Sequence, residues 1–224
     1  MKFLRRAKGS FNWISNEPEL IDYATRIGLL WLQREKVKGY ITADILNKAC
    51  GILSEEILSA ELNEFEIPHA RTVPLLSKDH PVNARKPYDI MLDSVSIDVK
   101  ANAPIPWKAG FECSQSLNLN LKELEHNGAC DLYILTKDYP EMPFEQGPDI
   151  ADEVLGLAFA QKVLRKIESV EFLGWAYGVD YIRAEHFNKR SSKPFYQLFT
   201  WEKPDFHSMP EFAAKFHIPL EPGP

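Results

Sequence analysis

Hydrophobic residues near the start of the chain recur at every third or fourth position, which is typical of a helix with one buried face. The positions with this spacing are Leu20, Ala24, Ile27 and Trp31. Asn16 and Glu19 fit a capping box at the beginning of this pattern. The pattern therefore predicts a buried helix over 17–35. The following segment, 42–64, is typical of two shorter helices separated at Gly51, and an irregular stretch with several prolines comes after it.

From residue 87 onward, apolar residues occupy alternate positions, which indicates β-strands. The alternating apolar residues are Tyr88, Ile90, Leu92, Val95, Ile97 and Val99. The further predicted strands are 111–116, 132–136, 170–176 and 195–200. The helices predicted between them are 119–127, with Gly128 as its C-terminal stop, and 150–167, with Asp149 as its cap. The proline-rich segment 139–148 is predicted to be a loop.

Strands separated by helices predict an α/β protein with a central mixed β-sheet flanked by helices and a helical N-terminal portion. We expect one domain over 1–224, with 41–80 as a candidate helical insertion within it. Hydrophobic residues make up 45% of the chain and charged residues 26%, which excludes a disordered or collagen-like protein. Residues 1–10 are basic and lack the apolar h-region of a secretory signal, and no apolar run approaches the roughly 18 residues of a spanning helix. A cytoplasmic protein without membrane contact is expected.

The formal net charge of −6 is unfavourable for nucleic-acid binding, but the charges are unevenly distributed. Residues 1–40 carry an excess of Lys and Arg, whereas 111–150 carry an excess of acids. A protein with net negative charge can therefore still present a basic surface to phosphates. The three cysteines have neither CxxC spacing nor nearby histidines, which argues against a disulfide framework or a zinc site. They are Cys50, Cys113 and Cys130.

The segment 87–100 carries the residues that predict chemistry. If Asp93 and Ser94 form a two-residue hairpin turn, counting back along both strands places Asp89 opposite Asp98. Alternation then puts a polar set on one face of the sheet and the apolar set on the other. The polar set is Asp89, Met91, Ser96, Asp98 and Lys100.

Two facing carboxylates repel each other unless a cation lies between them. Mg²⁺ is the simplest such cation and Mn²⁺ can substitute, because both prefer carboxylate oxygens and bind phosphates. Lys100, two residues beyond Asp98 on the same face, would point toward whatever the metal holds. This arrangement predicts phosphodiester hydrolysis, with the lysine positioning or activating the nucleophile. The alternative is a solvated hairpin face with an Asp98–Lys100 ion pair of little energetic weight.

Five of these residues together resemble the motif of the PD-(D/E)xK nuclease superfamily of restriction-endonuclease-like proteins. They are Pro87, Asp89, Asp98, Val99 and Lys100, with Tyr88 intruding between the Pro and the first Asp. The similarity extends through the predicted strands at 131–135 and 170–176. It implies a central mixed sheet flanked by helices, Asp89 and Asp98 as metal ligands helped by the Val99 carbonyl, and Lys100 as the catalytic lysine. It also implies products that carry 5′-phosphates.

We therefore expect a Mg²⁺-dependent endodeoxyribonuclease, either a restriction enzyme or another standalone nuclease, that acts on double-stranded DNA. A homodimer is expected from the symmetry of the duplex, because each chain supplies one site and two strands must be cut. The chain lacks a Gly-rich phosphate loop, a GxSxG elbow and an HExxH motif, which excludes the usual NTPases, α/β-hydrolases and zinc proteases. Two alternatives stay open: a nucleic-acid-binding module that does not cleave, and an acidic structural protein.

Other residues are candidates for the same site or for DNA contacts. Glu19 is the acid that the superfamily often adds from its first helix, although the capping box also explains it. Glu112 and Gln115, on the next predicted strand, could line the same cleft. Backbone contacts are expected from two basic clusters, namely Arg5, Arg6 and Lys8, and Lys189, Arg190 and Lys193. A helix-turn-helix over 42–62 is disfavoured because its second helix is acidic and would repel phosphates.

Overall fold

A computed structural model describes eight segments of the chain. They are 3–5, 11–13, 18–34, 42–72, 88–102, 116–140, 153–188 and 194–219. Six α-helices lie in these segments: α1 (Pro18–Arg34), α2 (Thr42–Glu64), α3 (Leu121–Asn127), α4 (Glu153–Leu164), α5 (Gly178–Tyr181) and α6 (Met209–Lys215). None of these helices has the length and hydropathy needed to cross a membrane.

The strands of the described segments form two sheets. The larger sheet contains β1 (Phe3–Arg5), β2 (Phe11–Trp13), β3 (His69–Arg71), β4 (Ile90–Leu92), β5 (Val95–Asn102), β7 (Leu132–Pro140) and β8 (Ile167–Tyr177). The smaller sheet contains β6 (Ser116–Asn120), β9 (Phe187–Asn188) and β10 (Phe195–Phe199). The larger sheet has the order β1-β2-β8-β7-β5-β4-β3. Its β5 and β7 are parallel and its other neighbours antiparallel, which confirms the predicted α/β class with a mixed sheet.

Central strand β7 is covered on both faces, and its sequence explains how. Leu132 and Ile134 belong to the main core cluster, which contains buried residues of α1, α2 and α4. Tyr133 and Leu135 alternate with them and join a second cluster, built from the smaller sheet and α5. A strand buried on both faces is expected to be a continuous apolar run, as residues 132–135 are. The sheet therefore lies between a helical layer and the smaller sheet.

The predicted pair of helices over 42–64 is wrong, because α2 runs unbroken through Gly51. A glycine in a helix interior costs only about 1 kcal/mol relative to alanine. Buried residues on either side of it, including Cys50 and Leu53, pack α2 into the main core, which more than offsets that cost. A continuous helix also removes the helix-turn-helix alternative. The predicted first helix is confirmed as α1, whereas Asn16 lies outside the described residues.

Several predicted boundaries differ from those of the structure. The helix predicted over 119–127 begins at Leu121, because Asn120 accepts a hydrogen bond from the backbone of Lys122 and caps it. Leu119 instead lies in β6 and pairs with Tyr196. Gly128, with a φ of 83°, ends the helix as predicted. The strand predicted over 111–116 lies outside the described residues except for Ser116, which begins β6.

The region around the predicted loop 139–148 also differs. Tyr139 and Pro140 continue β7 and pair with β8 across a register shift, so the prediction is wrong for these two residues, and the rest of the loop lies outside the described segments. Helix α4 ends at Leu164, before the predicted end at 167, because Ile167 is buried and begins β8. Its predicted cap, Asp149, lies outside the described residues. The strands predicted over 170–176 and 195–200 are confirmed as β8 and β10.

Candidate active site

The hairpin of β4 and β5 has the predicted turn and the predicted register from Leu92–Val95 to Ile90–Ile97, but the predicted pair of Asp89 with Asp98 is not among its registered pairs. Asp93 and Ser94 both have positive φ angles, 46° and 64°, which is the backbone conformation of a type I′ two-residue turn. Leu92 pairs with Val95 and Ile90 with Ile97. The apolar side chains of both strands enter the main core. The polar alternate positions of β5 are thereby directed to the opposite face.

Tyr88 is the exception to the predicted segregation of faces. We expected it beside Ile90 and Leu92, but it packs against the second cluster, which contains Tyr133 and Leu135. The reason is an irregularity at the next residue, because the registered pairs of the hairpin stop at Ile90. Period-two alternation cannot be extended past a residue that leaves the ladder.

Asp89 leaves the regular ladder but stays attached to β5 through two hydrogen bonds. Its backbone N–H donates to the carbonyl of Ile97 at 2.9 Å. Its side-chain Oδ2 accepts a hydrogen bond from the backbone N–H of Val99 at 2.7 Å. The carboxylate therefore takes the place of a carbonyl of the ladder. Asp89 is buried, with 6% of its surface exposed, so its orientation is fixed from within the fold.

Asp89, Asp98, Val99 and Lys100 all line one cavity of about 300 Å³. The structure thus brings the four predicted site residues together. Helix α2 lines one side of this cavity through Lys48, Gly51 and Glu55, whereas α3 contributes Glu123 and Asn127. The cavity lies at the end of the β4–β5 hairpin that is remote from its turn. Its size is at the lower end of the roughly 300–1,000 Å³ that small-molecule sites span.

Lys100 is held between two carboxylates of the cavity. Its Nζ lies 2.9 Å from Oδ2 of Asp98 and 2.5 Å from Oε1 of Glu123. The neighbour pair on β5 was foreseen, but the contact with α3 was not. Both bonds join charged groups that are at least partly shielded from solvent, which makes them stronger than the exposed ion pair that we considered as the alternative.

The electrostatics of the cavity follow from this concentration of acids. Burial raises the pKa of Asp98 to about 7, the charges of Asp89 and Glu123 add to the rise, and Lys100 opposes it. Burial acts to lower the pKa of Lys100, but Asp98 and Glu123 outweigh it and raise that pKa well above its ordinary value. Lys100 is therefore an ammonium ion at neutral pH. It can donate hydrogen bonds and neutralise charge, but it cannot accept a proton.

Cys130 also lines the cavity, and it takes no part in acid–base chemistry. Burial raises the pKa of its thiol to about 12, and the negative charges of Asp98 and Asp89 contribute to the rise. Only a thiolate acts as a nucleophile or a good metal ligand. Cys130 is thus a neutral, buried thiol, as is expected of a cysteine without metal spacing. Cys50 is also buried. Cys113 lies outside the described residues.

The donor set of the cavity fits a hard divalent cation. Asp89 and Asp98 both line the cavity, and the charge of Asp89 adds to the rise that burial causes in the pKa of Asp98, so a cation between the two carboxylates would be favourable. Within the described residues, three or more His, Cys, Asp or Glu side chains nowhere gather around one point. Two carboxylates are nevertheless the usual protein contribution to a Mg²⁺ site, where water and phosphate oxygens complete the coordination.

Two acids of the cavity were not recognised from the sequence. The sequence predicted Glu55 only as a residue that repels phosphates, yet it is 5% exposed and lines the cavity, and its Oε2 lies 3.6 Å from Nη2 of Arg71. A signal did exist, because Asn47, Gly51 and Glu55 recur at four-residue spacing and form one stripe along α2. Glu123 had no such signal, because its contact with Lys100 joins elements that are distant in the chain.

The remaining candidates are distributed as follows. Glu19 is exposed on α1 and does not line the cavity, so its place at the helix start is its structural role. The other candidates lie outside the described residues: Pro87, Glu112, Gln115, Arg6, Lys8, Lys189, Arg190 and Lys193. Arg5 lies in β1.

Comparisons with protein-family models, curated proteins and solved structures find no match to this chain. The functional argument therefore depends on the geometry and chemistry of the cavity itself.

Proposed function

We propose that this protein is a Mg²⁺-dependent endonuclease that hydrolyses phosphodiester bonds of double-stranded DNA, on a restriction-endonuclease-like fold. The observation that carries the proposal is the convergence of Asp89, Asp98 and Lys100 on one cavity, with Lys100 bound to Asp98 at 2.9 Å. A solvated hairpin face would leave these side chains in water. Instead the side chains of Lys100 and Asp98 are only 19% and 17% exposed, so water screens their charges poorly.

Each residue has a distinct role in this proposal. Asp89 and Asp98 would hold the cation, with the Val99 carbonyl as a further ligand. When bound, Mg²⁺ supplies positive charge against the phosphate and makes water more acidic. Val99 also orients Asp89 through its backbone N–H. Such orientation is what lets a buried carboxylate present the same geometry in every molecule.

Lys100 serves the attacking water and the phosphate in its protonated form. Its ammonium group donates hydrogen bonds, positions the water for in-line attack on phosphorus and stabilises the charge that develops on the phosphate oxygens. The water oxygen bonds to phosphorus as the bond from phosphorus to the 3′-oxygen breaks. The water gives up one proton and the 3′-oxygen gains one, so the products are a 3′-hydroxyl and a 5′-phosphate. With one site per chain, cleavage of both strands favours a homodimer that matches the symmetry of the duplex. The compartment that we propose for this activity is the cytoplasm.

The decisive experiment incubates the purified protein with supercoiled plasmid and Mg²⁺, with EDTA as the control. We expect nicked and linear products from the wild-type protein and a loss of at least about a hundredfold in rate for Lys100→Ala. Lys122→Ala is the matched control, because Lys122 is exposed on the adjacent helix α3 and does not line the cavity. Lys122→Ala should cleave like the wild type.

Three results would count against the proposal. Cleavage that survives in both Lys100→Ala and Asp98→Ala would place the nuclease site elsewhere in the chain. Binding of DNA without cleavage at any Mg²⁺ or Mn²⁺ concentration would favour the non-cleaving binding module. Absence of DNA binding at low salt would favour a structural protein.

A further inference from the structure

Lys100 and a divalent cation compete for the same carboxylate. Oδ2 of Asp98 accepts a charged hydrogen bond from Lys100 at 2.9 Å, and Asp98 is one of the two carboxylates that the proposed function assigns to the metal. A dication at Asp98 would lie next to the ammonium group, and like charges a few ångströms apart in a shielded site repel strongly. Lys100 must therefore have another acceptor if it is to stay in the site when Asp98 turns to the cation.

Glu123 is placed to be that acceptor. Its Oε1 lies 2.5 Å from Nζ of Lys100, so the ammonium group already contacts both carboxylates. The Glu123 side chain is 39% exposed, whereas that of Asp98 is 17% exposed. Glu123 thus lies toward the rim of the cavity. Movement of Lys100 toward Glu123 would draw the positive charge away from the interior.

The position of Glu123 is set by the fold and not by a flexible chain. Helix α3 follows β6 directly, and Asn120 caps it by accepting a hydrogen bond from Lys122 N–H at 2.9 Å. The backbone N–H of Leu121 donates to the carbonyl of Pro194 at 3.1 Å, which ties the helix start to the smaller sheet. Glu123 is consequently presented to Lys100 by a helix that is anchored at its first turn.

We propose that Glu123 is a positioning residue that holds Lys100 and so releases Asp98 for the divalent cation. The inference rests on the proposed function, because it requires a cation at Asp89 and Asp98. It assigns to Glu123 a role in metal affinity that acts through Lys100 and not through direct contact with the metal. Without Glu123, Lys100 would stay bound to Asp98 and oppose the cation.

The test is a double-mutant cycle on metal binding, measured by calorimetric titration of the EDTA-treated full-length protein with Mn²⁺. The proteins are the wild type, Glu123→Gln, Lys100→Met and the double variant. A general loss of negative charge near the cation would weaken binding equally with and without Lys100. A role through Lys100 makes the effect of Glu123→Gln depend on the lysine.

We expect Glu123→Gln to weaken Mn²⁺ binding by about tenfold when Lys100 is present and by less than about threefold when it is replaced by Met. Lys100→Met alone should tighten Mn²⁺ binding, since it removes a positive charge beside Asp98. Glu125→Gln is the matched control, because it removes the same charge from an exposed position of α3 outside the cavity. Its affinity for Mn²⁺ should be that of the wild type. In plasmid cleavage at saturating Mn²⁺, Glu123→Gln should lower kcat and leave KM for DNA unchanged, because its effect reaches the substrate only through Lys100.

The outcomes separate this inference from the nuclease proposal. Equal losses of Mn²⁺ affinity for Glu123→Gln in both backgrounds, or weaker binding by Lys100→Met, would overturn the inference and leave the nuclease proposal standing. The expected cycle without any DNA cleavage would support the inference and overturn the nuclease proposal. A wild-type protein that does not bind Mn²⁺ would overturn both.

Discussion

The backbone N–H of Val99 donates a hydrogen bond of 2.7 Å to Oδ2 of Asp89. This contact attaches the carboxylate of Asp89 to β5, the strand that carries Asp98, at a buried position. Asp89 therefore has two separable properties. Its oxygen satisfies a buried backbone donor, and its negative charge contributes to the electrostatics of the site.

Substitutions at Asp89 should separate these properties. Asp89→Asn keeps an oxygen that can accept from Val99 N–H, so the free energy of unfolding should stay close to that of the wild type, while cleavage and Mg²⁺ binding are lost. Asp89→Ala leaves the buried N–H of Val99 without its acceptor, which should lower the free energy of unfolding by about 1–3 kcal/mol. Urea denaturation with a plasmid-cleavage assay checks both. Equal stability of the two variants would show that the Val99 contact is energetically unimportant.

The hairpin could be predicted because its information is local. The turn residues, the alternation and the pairing all lie within about a dozen consecutive residues, and the polar and apolar faces leave one register that buries the apolar set. The same argument failed at Tyr88. There the ladder becomes irregular through a bond between a side chain and the backbone, which no periodic pattern encodes.

The rest of the cavity depends on contacts between distant parts of the chain. Glu123 on α3 and Lys100 on β5 are 23 residues apart in the chain, with β6 between them, so their proximity depends on how the two sheets pack together. Gly51 looked like a helix break because glycine has a low intrinsic helix propensity. Packing of α2 against the sheet outweighs that propensity, and this balance is invisible to a local pattern.

The raised pKa of Asp98 predicts an unusual pH dependence of stability. In the folded protein this pKa is about 7, whereas an unfolded aspartate has a pKa of about 4. The folded state thus binds the proton more tightly. Stability contributed by protonated Asp98 is fully present below about pH 4 and is lost as the pH rises through about 7. In metal-free buffer, the contribution of Asp98 should therefore lower the thermal midpoint of the wild type as the pH rises from about 4 through about 7.

Asp98→Asn should lack this decrease, because an amide does not titrate, and it should be more stable than the wild type at pH 8 without metal. Asp93→Asn is the control: Asp93 is exposed in the hairpin turn, and asparagine tolerates its positive φ. Mg²⁺ should raise the midpoint of the wild type more than that of Asp98→Asn, by linkage. Thermal unfolding scans between pH 4 and pH 8 measure all three. Identical pH profiles for wild type and Asp98→Asn would refute the assignment of the pKa to Asp98.

Binding of duplex DNA should weaken as salt increases, because Lys and Arg that contact phosphates release counterions. Lys48 lines the cavity from α2 and is a candidate phosphate contact. Lys48→Gln should weaken binding uniformly across DNA sequences and reduce the slope of log affinity against log salt by about one. Fluorescence anisotropy with a labelled duplex in Ca²⁺ would measure the affinity at salt concentrations from about 50 to about 200 mM. A slope that Lys48→Gln leaves unchanged would exclude Lys48 from the DNA surface.

Gly51 makes it possible to close the cavity without touching a charged residue. A Cβ built at this position meets nothing within 4 Å among the described residues, although the glycine lies inside α2. Gly51→Ala should therefore raise the free energy of unfolding by about 0.5–1 kcal/mol, since alanine has the better helix propensity. It should leave cleavage near the wild-type rate, because it adds one methyl group to a cavity of about 300 Å³.

Gly51→Phe uses the same open space to place a ring in the cavity. It should fold, but it should cleave plasmid at least about tenfold more slowly, because the substrate phosphate and the ring compete for one volume and a small displacement is costly in a catalytic geometry. Asn63→Phe is the matched control, since Asn63 is exposed on the same helix and does not line the cavity. Urea denaturation of both variants separates a blocked cavity from a damaged fold. If Gly51→Phe is as stable as Asn63→Phe and cleaves at the wild-type rate, the substrate does not enter this cavity.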